Sequence, residues 1–186
     1  WVLVNKAQKT AIFFYENGFR GRDVLTDFLG DAELKSIMSD GCNAYVFIGN
    51  ELKSARFKDT IHQVCMSHAN NKFVKVGNQG GEPVAVRFSN FLKRFFSKEH
   101  VYDEAGLTPE ERLRERQSLE TKELLIELRS LLDSELLKDS EFRSRYYREA
   151  LNYLNWFWKE IFAYLGDGEL PIDNNLAERT IRKLTT

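Results

Sequence analysis

At Gly80-Gly81 the hydrophobic pattern of this chain changes period. Before that point, short apolar runs are separated by polar turns, the pattern of strands joined to brief helices. After it, apolar residues recur at three- and four-residue spacing as far as Leu165. A chain that switches in this way is restricted to a short α/β part followed by a long helical part.

In the first part, residues 1–5 and 10–15 read as strands, and the short polar turn between them favours an antiparallel hairpin. Residues 21–29 read as a helix with Val24, Leu25, Phe28 and Leu29 on one face. A strand over 35–39 ends at Asp40-Gly41, and residues 43–48 form one or two helical turns. A strand over 61–65 leads into a helix around His68 to Val76. This rhythm predicts a mixed sheet covered by helices.

In the second part, residues 84–98 read as a helix. Thr108-Pro109-Glu110-Glu111 then starts another: Thr108 caps, Pro109 suits the first helical position, and Glu111 completes a capping box. That helix is predicted to run to about Leu137, with Leu124, Leu125, Leu128, Leu131 and Leu132 as its stripe. A further long helix is predicted over 143–165, stopped by Gly166-Asp167-Gly168, and a closing helix begins near Asn174. The expected division is therefore 1–81, 82–166 and 167–186.

A chain of 186 residues suits one domain, or one domain carrying a large insertion. With 42% hydrophobic and 13% aromatic residues, a sizeable core can form. The net charge of −1 points to no class of partner, but the distribution is uneven. Residues 51–98 hold nine Lys/Arg against three acids, and residues 99–141 hold thirteen acids against six bases. A basic stretch can attract phosphates, or the two stretches can be solvated helix faces of opposite sign. Two cysteines, Cys42 and Cys65, make no disulfide framework, and reduced thiols in a cytosolic protein are the expectation. No apolar run is long enough to span a bilayer, and no signal peptide is visible. The chain opens at Trp1 inside a strand-like run, which suggests a piece of a longer protein.

Several residues could carry chemistry. Asp40, at a strand end beside Gly41, is placed to hold a divalent cation, although Asp-Gly is also common turn chemistry. Glu178 lies one turn into the closing helix, with Arg179, Arg182 and Lys183 nearby. Capping-box spacing from Asn175 and the helix dipole give it a structural reading as well. Cys65 and His68 are three apart, but no partner pair at metal-ligand spacing accompanies them. A Cys-His nucleophile pair lacks an orienting group or oxyanion site nearby. His68 with Lys72 and Phe73 better suits a helix facing a phosphate backbone. Tyr153, Trp156, Phe157 and Trp158 could stack on bases, but at this spacing aromatics are usually core.

Taken together, these segments resemble the insertion sequence 66 family of bacterial DDE-type transposases. Residues 171–182, Pro-Ile-Asp-Asn-Asn-Leu-Ala-Glu-Arg-Thr-Ile-Arg, look very like that family's closing signature. Phe13-Phe14-Tyr15 through Arg20 is similar to its aromatic strand and following arginine. Ser39-Asp40-Gly41 looks like its threonine-aspartate-glycine step. Cys65-Met66-Ser67-His68 through Lys72-Phe73 looks like its cysteine-x-alanine-histidine helix start, and Phe162-Ala163-Tyr164-Leu165 before Gly168 also fits. Cys42 departs from the tyrosine usual after the glycine, and Met66 from a common tryptophan.

The resemblance implies a ribonuclease-H-like core lacking its first strand, with a large all-helical insertion at 82–166. It implies that Asp40 and Glu178 are the second and third catalytic carboxylates and metal ligands. The family's first aspartate lies on a strand ahead of the one beginning at Trp1. Three carboxylates would hold two Mg²⁺ (or Mn²⁺) ions for in-line displacement at phosphorus, cleaving and joining transposon-end DNA. His68, Lys72, Arg179, Arg182 and Lys183 would contact DNA. The expected partners are double-stranded transposon-end and target DNA and further copies of the chain, in the bacterial cytoplasm. This chain alone is expected to be inactive. Two other readings remain open: a helix-rich, non-catalytic DNA- or protein-interaction module from a decayed transposase, and a nuclease of the same fold.

Overall fold

The computed structural model describes residues 2–5, 8–13, 21–79, 82–138 and 143–185, with side chains through Arg182 in the last stretch. The expectations that fall on Trp1, Phe14, Tyr15, Arg20, Gly80-Gly81 and the Lys183 side chain lie outside this description. Two compact units emerge: residues 1–64 with 173–186, and Cys65–Ile172.

The first unit begins with a hairpin of β1 (Val2–Asn5) and β2 (Thr10–Phe13), antiparallel as expected, with Val2 opposite Phe13 and Asn5 opposite Thr10. Helix α1 (Arg22–Leu29) turns Leu25 and Leu29, one turn apart, into the core. Strand β3 (Ser36–Ser39) leads into a 3₁₀ turn at Asn43–Tyr45. Strand β4 (Ile61–Val64) returns parallel to β3, with Ser36 opposite Ile61 and Ser39 opposite Val64. Leu25, Leu29, Ile37, Phe47, Ile48 and Phe57 form the core, and Leu3, Leu34 and Tyr45 pack against its edge. Phe47 and Phe57 meet edge-to-face at 5.5 Å, the arrangement that ring quadrupoles favour. The closing helix (Asn175–Thr185) packs against β1 within this unit.

The predicted single mixed sheet is not what the strands make. Among the described residues they form two separate two-stranded ladders, β1-β2 and β3-β4. The element types agree with an α/β reading, but ladder pairing depends on partners distant in sequence that periodicity does not identify.

The second unit is helical. It contains α2 (Met66–Asn78), α3 (Pro83–Glu104), α4 (Pro109–Arg116), α5 (Leu119–Leu137), α6 (Arg145–Trp156), a short α7 (Trp158–Ile161) and a 3₁₀ turn at Ala163–Gly166. The closing helix of the first unit is thus α8. Phe73 of α2 stacks on Phe88 of α3 at 4.6 Å, and fully buried Tyr147 of α6 meets Phe88 edge-on.

Two helices predicted as continuous are broken. The capping box forms at α4 as expected: the Glu111 N–H donates to Thr108 Oγ1 and the Thr108 N–H to Glu111 Oε2. The helix then stops at Gln117, and Ser118 caps a new one by accepting the Thr121 N–H. The break serves a buried ion pair. Arg116, 2% exposed, grips Glu99 of α3 with Nε and Nη2 at 2.8 and 2.7 Å. Its remaining Nη1 donates to the carbonyls of Tyr164 (2.9 Å) and Asp167. Nearby, the Pro109 carbonyl lies where a Cβ on Gly168 would stand, 1.8 Å from that position, so only glycine fits there. The second predicted long helix divides at Phe157 into α6 and α7 and ends in the 3₁₀ turn. Of its predicted apolar stripe, Tyr147, Ala150, Leu151, Leu154, Ile161, Phe162 and Leu165 are buried and Trp158 is half-buried.

The uneven charge resolves partly into pairing. Arg94 and Lys98 of α3 face Glu127 and Glu120 of α5 at 3.7 and 2.8 Å. Two of the nine bases are therefore answered by acids on a neighbouring helix.

Candidate active site

Asp40 follows the last residue of β3 and is exposed. Its Oδ1 accepts the Cys42 N–H at 2.9 Å, closing an Asx turn. Gly41, at φ +79°, supplies the left-handed residue that the turn requires. The turn reading of Asp-Gly is thus realised. It does not exhaust the group, because a carboxylate offers about four lone-pair sites.

Behind the turn lies a polar pair inside the sheet. Ser39 and His62 are 3% and 8% exposed, and Ser39 Oγ lies 2.9 Å from His62 Nε2. Ile37, Ser39, His62 and Val64 share one face of the β3-β4 ladder, because parallel register partners project the same way. Ser39 Oγ also accepts the Gly41 N–H at 3.2 Å. Burial pushes the His62 imidazole down to about 4, so it is neutral at physiological pH. In the unfolded chain the same group titrates near 6.5. Between these values the unfolded state binds the extra proton, so stability is fully present above pH ~6.5 and is lost as pH falls toward 4. The span corresponds to about 3 kcal/mol. Urea denaturation at pH 7 and pH 4.5 should show a loss that His62→Gln largely removes. Equal acid sensitivity in both proteins would contradict the assignment.

Tyr45, half-buried in the 3₁₀ turn, shares this corner. Burial, then the Asp40 carboxylate and Cys42, push its hydroxyl up to about 12. It therefore remains a protonated hydrogen-bond donor beside Asp40 at neutral pH.

Glu178 is half-buried on α8 in the same unit. Asn175 is the first residue of α8 rather than a residue ahead of it, and Asp173 serves the entrance of the helix. Asp173 Oδ1 accepts the Asn175 N–H at 3.1 Å, and Oδ2 accepts Asn175 Nδ2 at 2.6 Å. The Glu178 N–H already donates within the helix, to Asn174 O at 3.2 Å. A hollow of about 260 Å³ beside the helix is lined by Asn175, Glu178, Arg179 and Arg182. Arg179 and Arg182 are exposed, and Arg179 Nε donates to the Asn175 carbonyl at 3.3 Å.

His68 and Lys72 belong to the helical unit. His68 is half-buried in the first turn of α2, its N–H donating to the Cys65 carbonyl, and Cys65 is fully buried. The Lys72 ammonium sits 4.7 Å above the Tyr153 ring, a cation–π contact that gives it a structural role. In the aromatic run of α6 and α7, Phe157 is buried, whereas Trp156 is 74% exposed.

Among the described residues, no three of His, Cys, Asp and Glu gather closely enough to hold a metal ion. The donors that Asp40 and Glu178 offer are hard carboxylate oxygens, which suit Mg²⁺ or Mn²⁺ rather than a thiophilic metal. Ser39 and His62 are the pair that sequence reasoning passed over as a site. The available signal was a serine before Asp40 and a polar residue at an inward position of β4.

A family model described as "Transposase IS66 family" matches residues 1–186. An uncharacterized protein, y4jD of Sinorhizobium fredii (strain NBRC 101917 / NGR234), is 27% identical over 146 residues. The match covers 78% of this chain and 27% of that protein, so the chain spans about a quarter of the relative's length. No solved structure gives a significant match. No helix among the described residues is long and apolar enough to cross a membrane.

Proposed function

The chain belongs to the transposase IS66 family across its whole length, and from that premise we propose that it is the larger part of a DDE-type catalytic domain that cleaves and joins transposon-end DNA. The observation that carries this reading is where the two acids lie. Asp40 and Glu178 stand near opposite ends of the sequence, with a helical unit between them, yet they belong to one compact unit. A helical insertion between the second and third carboxylates accounts for that separation.

On this reading, the two separate ladders β1-β2 and β3-β4 would be joined into one ribonuclease-H-like sheet by a further strand. Leu3 of β1 packs against the same core as Ile37 of β3, which supports a shared layer. The strand carrying the first aspartate would complete both the sheet and the acidic cluster. The core would be residues 1–81 and 167–186 and the insertion 82–166, with α2, which clusters with the helical unit, counted to the core by this reading.

Asp40 and Glu178 would hold the divalent ions together with that first aspartate. Bound Mg²⁺ or Mn²⁺ would supply Lewis-acid activation of the attacking oxygen and charge stabilisation of the leaving oxygen at phosphorus. The chain's own part is placement. The Asx turn fixes one Asp40 oxygen and thereby the orientation of the carboxylate. Arg179 and Arg182, exposed beside Glu178, offer guanidinium donors to the DNA backbone, with Lys183 adjacent in sequence. His68 and Lys72 contribute contacts from α2.

The test uses the full-length protein that carries this chain, with labelled transposon-end duplex and a target plasmid. Mg²⁺-dependent cleavage followed by joining is the expected result. Cleavage without joining would assign a nuclease instead, and DNA binding with neither would assign an interaction module.

A further inference from the structure

Two buried polar side chains lie directly behind the Asp40 turn, and no step described above uses them. Ser39 Oγ is bonded on one side by His62 Nε2 at 2.9 Å and on the other by the Gly41 N–H at 3.2 Å. The second bond reaches past Asp40 and ties the residue after it back to the strand. Asp40 Oδ1 meanwhile accepts the Cys42 N–H at 2.9 Å. Asp40 is thus clamped between two interlocked turns, one made by its own carboxylate and one by the serine before it.

The serine would be a weak anchor alone, because a hydroxyl rotates about χ1. His62 removes that freedom. It is buried on the neighbouring strand and shares the ladder face with Ser39. Its backbone is confined too: Gly49, at φ +68°, passes so close that a Cβ there would stand 3.1 Å from Thr60 O and 3.7 Å from the His62 nitrogen. A buried polar pair in a four-residue strand costs stability unless it is satisfied, and here each member satisfies the other.

We propose that Ser39 and His62 are positioning residues for Asp40, a hydrogen-bonded relay from β4 to the Asp40-Gly41 turn that sets the direction in which the carboxylate meets a divalent ion. The assignment rests on the transposase reading for what Asp40 does, and on the hydrogen bonds alone for how Asp40 is held. Groups that orient metal ligands in this way change metal affinity by roughly 10- to 100-fold when removed.

The test compares Ser39→Ala, Ser39→Thr and His62→Gln in the full-length protein, with two readouts. The first is amide hydrogen exchange at Gly41 and Cys42 without metal. Ser39→Ala should speed exchange about tenfold at these two amides and leave the α1 amides unchanged, and Ser39→Thr, which keeps the hydroxyl, should restore protection. The second is the Mn²⁺ concentration giving half-maximal strand joining. It should rise about tenfold in Ser39→Ala and return in Ser39→Thr. His62→Gln, with an amide that can still donate to Ser39, should fall between. Unchanged exchange at Gly41 in Ser39→Ala would overturn the relay. Faster exchange with an unchanged Mn²⁺ requirement would overturn its role toward the metal. An unmutated protein that joins no DNA would count against the transposase reading, and the exchange measurement would still decide the relay.

Discussion

Glu178→Gln in the full-length protein should abolish Mg²⁺-dependent cleavage and joining while leaving α8 folded. The substitution keeps the size of the side chain, removes its charge and replaces one acceptor oxygen by an NH2 donor. The helix loses little by it. Asp173 serves the entrance of α8, and a carboxylate in the first helical turn contributes roughly 0.3–1 kcal/mol through the helix dipole. A metal site loses far more, because an ionised carboxylate is what neutralises the cation. Several kcal/mol of charge stabilisation corresponds to on the order of a thousandfold or more in rate. Strand joining that stays within about tenfold of the unmutated protein would remove Glu178 from the reaction, and helix content by circular dichroism would distinguish lost chemistry from lost folding.

Arg116→Ala should cost the helical unit about 3–5 kcal/mol, the penalty of leaving a buried carboxylate without its cation. Glu99 is 6% exposed and Arg116 2%, so water screens neither. Arg112 also reaches Glu99, at 2.9 Å, but it divides its guanidinium with Asp103 and cannot replace the bidentate grip. The Tyr164 and Asp167 carbonyls lose their donor in the same step. Replacing both Glu99 and Arg116 by Met should cost clearly less than Arg116→Ala, because no charge is then stranded. Denaturation of the three proteins checks this, and a double variant as unstable as the single one would mean that the two carbonyls, not the ion pair, carry the effect.

How much was legible in the sequence differs between the two units for a physical reason. Helices are specified locally. The Thr108 capping box, the leucine stripe of α5 and the buried face of α6 all follow from residues within two turns of one another. The break at Gln117-Ser118 was not legible because no glycine or proline marks it, and that at Phe157 because the apolar stripe runs straight through it. The first is read only once Arg116 is seen turning toward Glu99, seventeen residues earlier in the chain. Strand pairing is specified by partners far away. Each strand was found to within two residues, but the separation into two ladders was not.

The candidate site divides in the same way. Asp40 stood out because a strand end and a glycine mark it, and Glu178 because its surrounding segment resembles the family's signature. The structure places Asn175 inside α8 and Asp173 at its entrance. His62 carried only a slight local mark. It reads as one polar residue in a short strand until the parallel register sets it two residues from Ser39 on the same face.

The central claim is that Asp40 and Glu178 serve one metal centre. Anomalous diffraction from Mn²⁺-soaked crystals of the full-length protein tests it most directly. The expected result is at least one Mn²⁺ within about 2.3 Å of a carboxylate oxygen on each of the two residues, or a pair of ions ~3.5–4 Å apart bridging them. Carboxylates of Asp40 and Glu178 more than about 10 Å apart, with no ion shared between them, would contradict it.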